Sequence, residues 1–108
     1  MEIITNDNEK TGLATVPLKE VIDPEIGLNV VDLGLIRQLD FDDAEKDIYC
    51  TMTLTTRFCP MGESISSGVR TALEQSFPNY KIDLTLTFEP PWNSSMISEE
   101  GMAFLNGY

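Results

Sequence analysis

One cysteine lies where a strand-like run of this sequence gives way to a helix-like run. Cys59 follows the predicted strand that ends at Thr55, and Pro60 comes directly after the cysteine. Proline is favoured at the first position of a helix, because its missing N–H would have no intrahelical partner there. Free N–H groups and the helix dipole both stabilise a thiolate at that position. The sequence therefore predicts that Cys59 is a reactive thiol with a lowered pKa.

Neighbouring side chains could assist this thiol. Arg57 stands two residues before Cys59 and adds a positive charge, and Thr55 and Thr56 could donate hydrogen bonds to a thiolate. Ordinary alternatives exist, since threonine is common at strand ends and a cysteine at such a junction can be purely structural. The second cysteine, Cys50, alternates with apolar residues of the same strand and is predicted to be an inert part of the core.

The overall composition limits the classes of function. The 108 residues include 18 acidic and 7 basic side chains, which gives a net charge of -11. Such a surface repels nucleic acids and anionic membranes, which are bound through Lys and Arg, and it suits a partner with a basic face. The chain has no histidine, so the commonest general base and metal ligand is missing.

Nothing in the sequence indicates export or membrane insertion. The N-terminus lacks a basic region followed by an apolar stretch, and no apolar run approaches the roughly 20 residues that span a bilayer. Two cysteines are also too few for a disulfide framework. A reducing, cytoplasmic environment is therefore expected.

Apolar periodicity predicts one α/β domain over residues 13–108, preceded by a flexible lead-in over residues 1–12. The predicted element order is α-β-β-α-β-α, with a small three-stranded sheet and its two main helices on one face. The predicted helices cover 15–22 and 62–77, the strands cover 30–41, 47–55 and 80–89, and Ser94 or Ser95 caps a last short helix.

Five short motifs occur in an order and at spacings that resemble the MIP18 family, formerly a domain of unknown function. Each motif alone is weak, but the five together span nearly the whole of residues 15–105. The motifs are Asp23-Pro24-Glu25, Val31-Asp32-Leu33-Gly34-Leu35-Ile36, Met52-Thr53-Leu54-Thr55 followed by Cys59-Pro60, Pro90-Pro91-Trp92, and Met96-Ile97-Ser98-Glu99-Glu100.

This resemblance implies an α/β fold of the iron–sulfur-cluster-assembly-domain type, and a role in building iron–sulfur clusters or delivering them to client proteins. The family includes cytosolic targeting factors, proteins of the bacterial sulfur-mobilisation (Suf) pathway and an accessory subunit of a phenylacetyl-CoA oxygenase. Cys59 matches its reactive cysteine, and Asp23 and Glu25 match its acidic loop. Two departures stand out. No cysteine follows Cys59 to match the metal-binding cysteines of the oxygenase members, and Arg57-Phe58 places bulky residues beside the thiol.

Loops 23–29 and 89–95 are expected to flank the cysteine loop, which makes Asp23, Glu25 and Glu89 candidate supporting residues. A carboxylate could complete the ligands of a cluster, although hard carboxylates bind sulfur-rich iron poorly beside thiolates. The ordinary alternative is a turn organised by Asp23, with solvated charges at the other two positions.

Cluster chemistry sets the number of thiolates required. A cluster is usually held by four thiolates, and this chain offers one exposed candidate, so Cys59 is expected to be a metal ligand only of a transient cluster. A homodimer would bring two copies of Cys59 to a shared cluster, with carboxylates, a small thiol or client cysteines as the remaining ligands. Such an under-ligated site suits transfer between a scaffold protein and client apoproteins.

The leading hypothesis is therefore an accessory factor in iron–sulfur cluster assembly or delivery, and not an enzyme with turnover. One alternative is a thiol-dependent enzyme that uses Cys59 as nucleophile, but a cysteine nucleophile normally has a histidine base and the chain has none. Another alternative is a metal-free acidic adaptor that binds partner proteins.

Overall fold

The computed structural model describes residues 3–24, 26–55 and 62–106. The mixed α/β class predicted from the sequence is confirmed, whereas the predicted number of strands is wrong, because a short first strand was not predicted. The strands are β1 (Ile4–Thr5), β2 (Ile36–Asp42), β3 (Asp47–Met52) and β4 (Lys81–Leu86), and the helices are α1 (Asn8–Leu18), α2 (Gly62–Ser76) and α3 (Glu99–Leu105), with a 3-10 turn at Ser94–Met96.

The four strands form one sheet in the order β1-β2-β3-β4. Strands β2 and β3 form an antiparallel hairpin, in which Leu39 lies opposite Cys50. Strand β4 pairs in parallel with β3, and helix α2 connects the two because parallel neighbours require a crossover. Strand β1 adds a short parallel pair to the outer side of β2. Strand β3 is therefore paired along both of its edges.

The N-terminal segment, predicted as a flexible lead-in over residues 1–12, contains β1 and the first part of α1. The amide of Asn6 fixes this segment to β2, because its Nδ2 donates to the Phe41 carbonyl at 3.0 Å and its Oδ1 accepts from the Phe41 N–H at 2.9 Å. Asp7 caps α1 by accepting a hydrogen bond from the N–H of Lys10 at 3.0 Å. The predicted start of the first helix is therefore too late.

The core lies between the sheet and helices α1 and α2. Alternation along β3 turns Ile48, Cys50 and Met52 inward, and each is at most 1% exposed. Helix α2 contributes apolar residues spaced four apart, which share one face of a helix. The core also includes Ala14 and Leu18 of α1, Leu39 and Phe41 of β2, and Ile65, Val69 and Leu73 of α2.

The opposite face of the sheet is left uncovered by these helices. Tyr49 is 44% exposed and lies, in the strand register, between Asp40 on β2 and Asp83 on β4. Asp42 and Asp47 form the next cross-strand pair, so like charges lie directly opposite one another. The surrounding carboxylates, Asp47 foremost, raise the pKa of Tyr49. We call these five residues the open acidic face.

The predicted strand over residues 30–41 starts later in the structure, because its first part forms turns. The N–H of Leu33 donates to the carbonyl of Asn29 at 3.0 Å, and Gly34 adopts a φ of +78°, which L side chains rarely take. A Cβ atom at Gly34 would also overlap the backbone carbonyl of Met96. Two distant segments are therefore in direct backbone contact at this glycine.

The C-terminal segment is hydrogen-bonded to the turns that precede β2. The indole N–H of Trp92 donates to the carbonyl of Leu33 at 2.7 Å. The N–H and Oγ–H of Ser98 donate to the carbonyl and the Oδ1 atom of Asp32, each at 2.8 Å. These contacts hold residues 92–98 at the first and the last residue of this stretch.

The last helix starts later than predicted. Ser98, rather than Ser94 or Ser95, caps α3 by accepting a hydrogen bond from the N–H of Gly101 at 3.0 Å. Asn93 caps the 3-10 turn, since its Oδ1 accepts from the N–H of Ser95 at 2.9 Å. The two serines favoured by the sequence lie inside that turn.

We expect Gly34→Ala to lower the free energy of unfolding by about 2–4 kcal/mol, because the substitution combines backbone strain with a steric overlap. The matched control is Gly12→Ala, within α1, where a Cβ meets nothing within 4 Å. That change should stabilise the protein by about 0.5–1 kcal/mol through helix propensity. Urea denaturation of both variants measures the difference, and effects of the same sign would contradict this account.

Candidate functional site

Three chain segments meet at one end of the sheet, which we call the loop end. Strands β3 and β4 are parallel and β2 is antiparallel to them, so two carboxyl ends and one amino end lie together. Hydrogen bonds extend the pairing beyond the strands: the N–H of Thr53 donates to the Leu35 carbonyl at 2.8 Å, and that of Thr87 to the Met52 carbonyl at 2.9 Å. The loop end comprises residues 33–35, 53–55 and 87–89.

Segment 56–61 connects two points that are in direct contact. Gly62, the first residue of α2, is buried against Leu54, and a Cβ at this glycine would lie 2.7 Å from the Cδ1 atom of Leu54. Leu54 itself is 5% exposed. The end of the β3 segment and the start of α2 are therefore packed against each other, and both flanks of the predicted strand-to-helix junction are confirmed.

Several predicted site residues fall outside the described part of the chain. Glu25, Thr56, Arg57 and Cys59 are among them, so their roles stay predictions. Thr55 is described and is half-buried at the loop end, next to the segment that carries the cysteine.

Asp23 is 1% exposed and organises the loop between α1 and β2. Its N–H donates to the Leu28 carbonyl at 3.0 Å, and its own carbonyl accepts from the Gly27 N–H at 2.7 Å. Its Oδ1 atom accepts from the Ile26 N–H at 3.4 Å. These contacts favour the ordinary alternative for this residue, which is a role in organising its turn.

Glu89 is exposed and lies at the loop end, as Thr55 does. Its N–H donates to the Oγ1 atom of Thr87 at 3.3 Å, which orients the chain just after β4. The topology therefore brings one predicted acidic residue to the same end of the sheet as Thr55, which precedes segment 56–61 in the chain.

The described residues supply no ready-made metal site: no three or more His, Cys, Asp or Glu side chains among them are grouped to hold an ion. In the same ranges, every helix is too short or too polar to cross a membrane.

Cys50 is buried on the inward face of β3, with 1% of its surface exposed. Burial raises the pKa of its thiol to about 12, and the nearby positive charge of Arg70 offsets only part of that rise. The thiol therefore stays protonated at neutral pH, which confirms the inert role predicted for this cysteine.

One buried charge near the loop end was not predicted from the sequence. Arg37, the second residue of β2, is 7% exposed, and its Nη2 atom lies 3.9 Å from the sulfur of Met96. An available signal was its place in a predicted strand directly after the apolar Leu35-Ile36. A charged residue in such a run indicates a buried partner, a ligand or solvent.

Comparisons with known proteins agree with this architecture. The crystal structure of a domain of unknown function from Bacillus anthracis superimposes with a TM-score of 0.82 at 31% identity, and the match covers 91% of this chain and 92% of the other. The chain is 45% identical over 85 residues to an Fe-S protein maturation auxiliary factor of Porphyromonas gingivalis, across 79% of this chain and 80% of the relative. It is 39% identical to the Fe-S protein maturation auxiliary factor SufT of Staphylococcus aureus, across 72% of this chain and 88% of the relative.

Fold and loop end together thus define a small α/β protein of the kind seen in that crystal structure. The family model for iron-sulfur cluster assembly proteins matches residues 16–88, and the chain belongs to that family. The resemblance identified from the five sequence motifs is confirmed.

Replacing Asp23 tests whether its carboxylate supports the turn. We expect Asp23→Ala to lower the free energy of unfolding by about 1–3 kcal/mol, because the partly buried N–H of Ile26 loses its acceptor. Asp23→Asn retains an acceptor oxygen and should cost less. Chemical denaturation compares the three proteins, and an alanine variant as stable as the wild type would refute the structural role.

The raised pKa of Cys50 predicts a loss of stability in alkali. The protonated thiol contributes fully below the unfolded pKa of about 9, and its contribution is lost as the pH rises toward the folded value of about 12. The free energy of unfolding should fall across this window by up to about 1.4 kcal/mol per pH unit. Cys50→Ala should show a shallower fall, because the share of the thiol is removed while other groups with raised pKa values, Tyr49, Tyr80 and Lys10, contribute equally in both proteins. Equal slopes in denaturation series at pH 9–11 would contradict the assignment.

Proposed function

We propose that this chain is an accessory factor in iron–sulfur cluster assembly or delivery, which acts through Cys59 and has no catalytic turnover of its own. Its relatives are named Fe-S protein maturation auxiliary factors, including SufT, and these names support a role in iron–sulfur protein maturation. The chain, like them, is a family member by sequence along most of its length.

The observation that carries the cysteine-based mechanism is the contact between Leu54 and Gly62. It holds the start of α2, a 15-residue helix, at the loop end, and segment 56–61 joins these two contacting parts of the chain. Unpaired N–H groups and the helix dipole favour an anion in that neighbourhood. A thiolate at Cys59 is the anion that the sequence supplies there.

The cluster is cargo in this mechanism. Each chain supplies one thiolate from the loop, because the other cysteine, Cys50, is sealed in the core. A cluster usually needs four thiolates, so further ligands come from a second copy of the chain, a small thiol or the client. The position of Glu89 at the loop end supports an assisting role, whereas the hydrogen bonds of Asp23 with Ile26, Gly27 and Leu28 support a role in its own turn. Incomplete ligation favours release of the cluster to a client apoprotein.

Charge indicates the kind of partner. A net charge of -11 favours scaffold or client proteins with basic surfaces, and it opposes binding to nucleic acid or anionic lipid. Thiolate and cluster chemistry both require a reducing environment, which places the proposed activity in the cytoplasm. A metal-free adaptor is the second candidate, and the open acidic face on the sheet is the observation that favours it.

Anaerobic cluster reconstitution of three proteins tests this proposal. Wild type and Cys50→Ala should take up iron and sulfide and show the charge-transfer absorption of a thiolate-bound cluster. Cys59→Ala should lose about tenfold or more of that cluster content, because its loop thiolate is gone. Circular dichroism confirms that each variant is folded.

Transfer to an apoprotein client is the second measurement. Loaded wild type should restore the client's activity faster than free iron and sulfide, and Cys59→Ala should not. Equal cluster content in wild type and Cys59→Ala would remove Cys59 from the mechanism. A wild type that matures a client without ever binding a cluster would instead establish the adaptor.

A further inference from the structure

The guanidinium of Arg37 is buried without adequate hydrogen-bond acceptors. The residue is 7% exposed, and neither Nε nor Nη1 has a hydrogen-bond partner in the part of the chain that the structure describes. The third nitrogen, Nη2, meets only the sulfur of Met96 at 3.9 Å. A thioether is a weak acceptor, and arginine does not give up its proton inside proteins. Among the described residues, the guanidinium therefore meets no oxygen acceptor.

Met96 belongs to a short strap that crosses this guanidinium. The strap, residues 93–96, is held at its two flanks, where Trp92 donates to the Leu33 carbonyl at 2.7 Å and Ser98 donates to Asp32 at 2.8 Å. Within the described chain, the strap's own hydrogen bonds are local, such as that from the Met96 N–H to the Asn93 carbonyl at 3.1 Å. One bond leaves the strap, from the Ile97 N–H to the Ser94 carbonyl at 3.2 Å. The contacts that hold the strap over Arg37 are its packing on Gly34 and the sulfur contact.

Two neighbouring nitrogens of the Arg37 guanidinium, Nε and Nη2, match one kind of ligand. In a guanidinium, the Nε–H and one Nη2–H point in the same direction and form a fork that binds both oxygens of a carboxylate. Here Nε has no acceptor and Nη2 has only the thioether. A carboxylate in place of the Met96 sulfur would accept from both Nε and Nη2 and neutralise the buried charge, while Nη1 would stay as it is. The low dielectric around the buried guanidinium strengthens this attraction.

We propose that Arg37 is a carboxylate-binding residue covered by the 93–96 strap, and that the incoming carboxylate displaces the Met96 side chain. Arg37 lies on β2 just after the loop-end residues 33–35, so a bound acid would sit beside the end of the sheet that precedes α2. Two sources share this chemistry: a free small carboxylate and the acidic side chain of another polypeptide. Carboxylate binding at Arg37 requires neither Cys59 nor a cluster, so either proposal can fail without affecting the other.

Nuclear magnetic resonance of the ¹⁵N-labelled protein tests the site directly, through the Nε–Hε signal of Arg37. The signal is assigned by its disappearance in Arg37→Met. Sodium acetate is titrated against sodium chloride at a constant ionic strength of about 0.15 M, where screening is unchanged. The Arg37 signal should move along a saturable curve, while the Nε–Hε signal of Arg70, whose Nη1 donates to the Ile82 carbonyl, should not.

Two methionine variants separate the strap from general effects. Met96→Ala removes the competing sulfur and should tighten acetate binding about threefold or more, whereas Met102→Ala, at an exposed site on α3, should leave it unchanged. The capped peptides acetyl-Gly-Glu-Gly-amide and acetyl-Gly-Gln-Gly-amide distinguish the sources. Tighter binding of the glutamate peptide than of acetate indicates a polypeptide acid, and equal or weaker binding indicates a small carboxylate.

An Arg37 signal that acetate and the glutamate peptide leave unmoved, in both wild type and Met96→Ala, would overturn the proposal. Equal movement of the Arg37 and Arg70 signals would overturn it too, since that result describes non-specific ion binding. Thermal unfolding supplies a check that needs no assignment. Acetate should raise the midpoint of wild type relative to chloride, and Arg37→Met should abolish that difference.

Discussion

Burial of the inward row of β3 is the constraint on which the other elements depend. Ile48, Cys50 and Met52 can leave water only if β2 and β4 flank the strand and α1 and α2 cover it. A shift of register by one residue would turn this row outward and bring Tyr49 into the core. The same register aligns the ends of three strands, so the core that stabilises the domain also fixes the position of the loop end.

Sequence patterns predicted the parts of the fold whose periodicity is long and uninterrupted. The alternation along β3 and the spacing of Ile65, Val69 and Leu73 on α2 were sufficient to predict this strand, this helix and the inert character of Cys50. The missed parts depend on contacts between distant segments. Strand β1 is fixed by the Asn6 amide on β2, and the turns before β2 are shaped by Gly34 against Met96. No local propensity encodes such pairs.

The candidate site likewise contains features that the local sequence predicts and features that depend on contacts between distant segments. The strand-to-helix junction could be predicted, because Pro60 and the change of apolar period mark it locally. The buried state of Asp23 and of Arg37 could not, since each depends on which other segments close over it. For Asp23 the surrounding turn supplies donors to its backbone and carboxylate, whereas the strap over Arg37 supplies only a thioether. The buried carboxylate of Asp23 thus has a hydrogen-bond donor, whereas the buried guanidinium of Arg37 meets no oxygen acceptor among the described residues.

The open acidic face has a consequence for behaviour at high concentration. Uncovered sheets tend to stack on one another, and stacked sheets lie about 10 Å apart, close to the Debye length of about 8 Å at physiological salt. Carboxylates at Asp40, Asp42, Asp47 and Asp83 would therefore face their counterparts across such a stack at a distance where salt already screens part of the repulsion. Electrostatic repulsion, rather than a covering helix, protects this surface from aggregation, and concentrated salt weakens that protection.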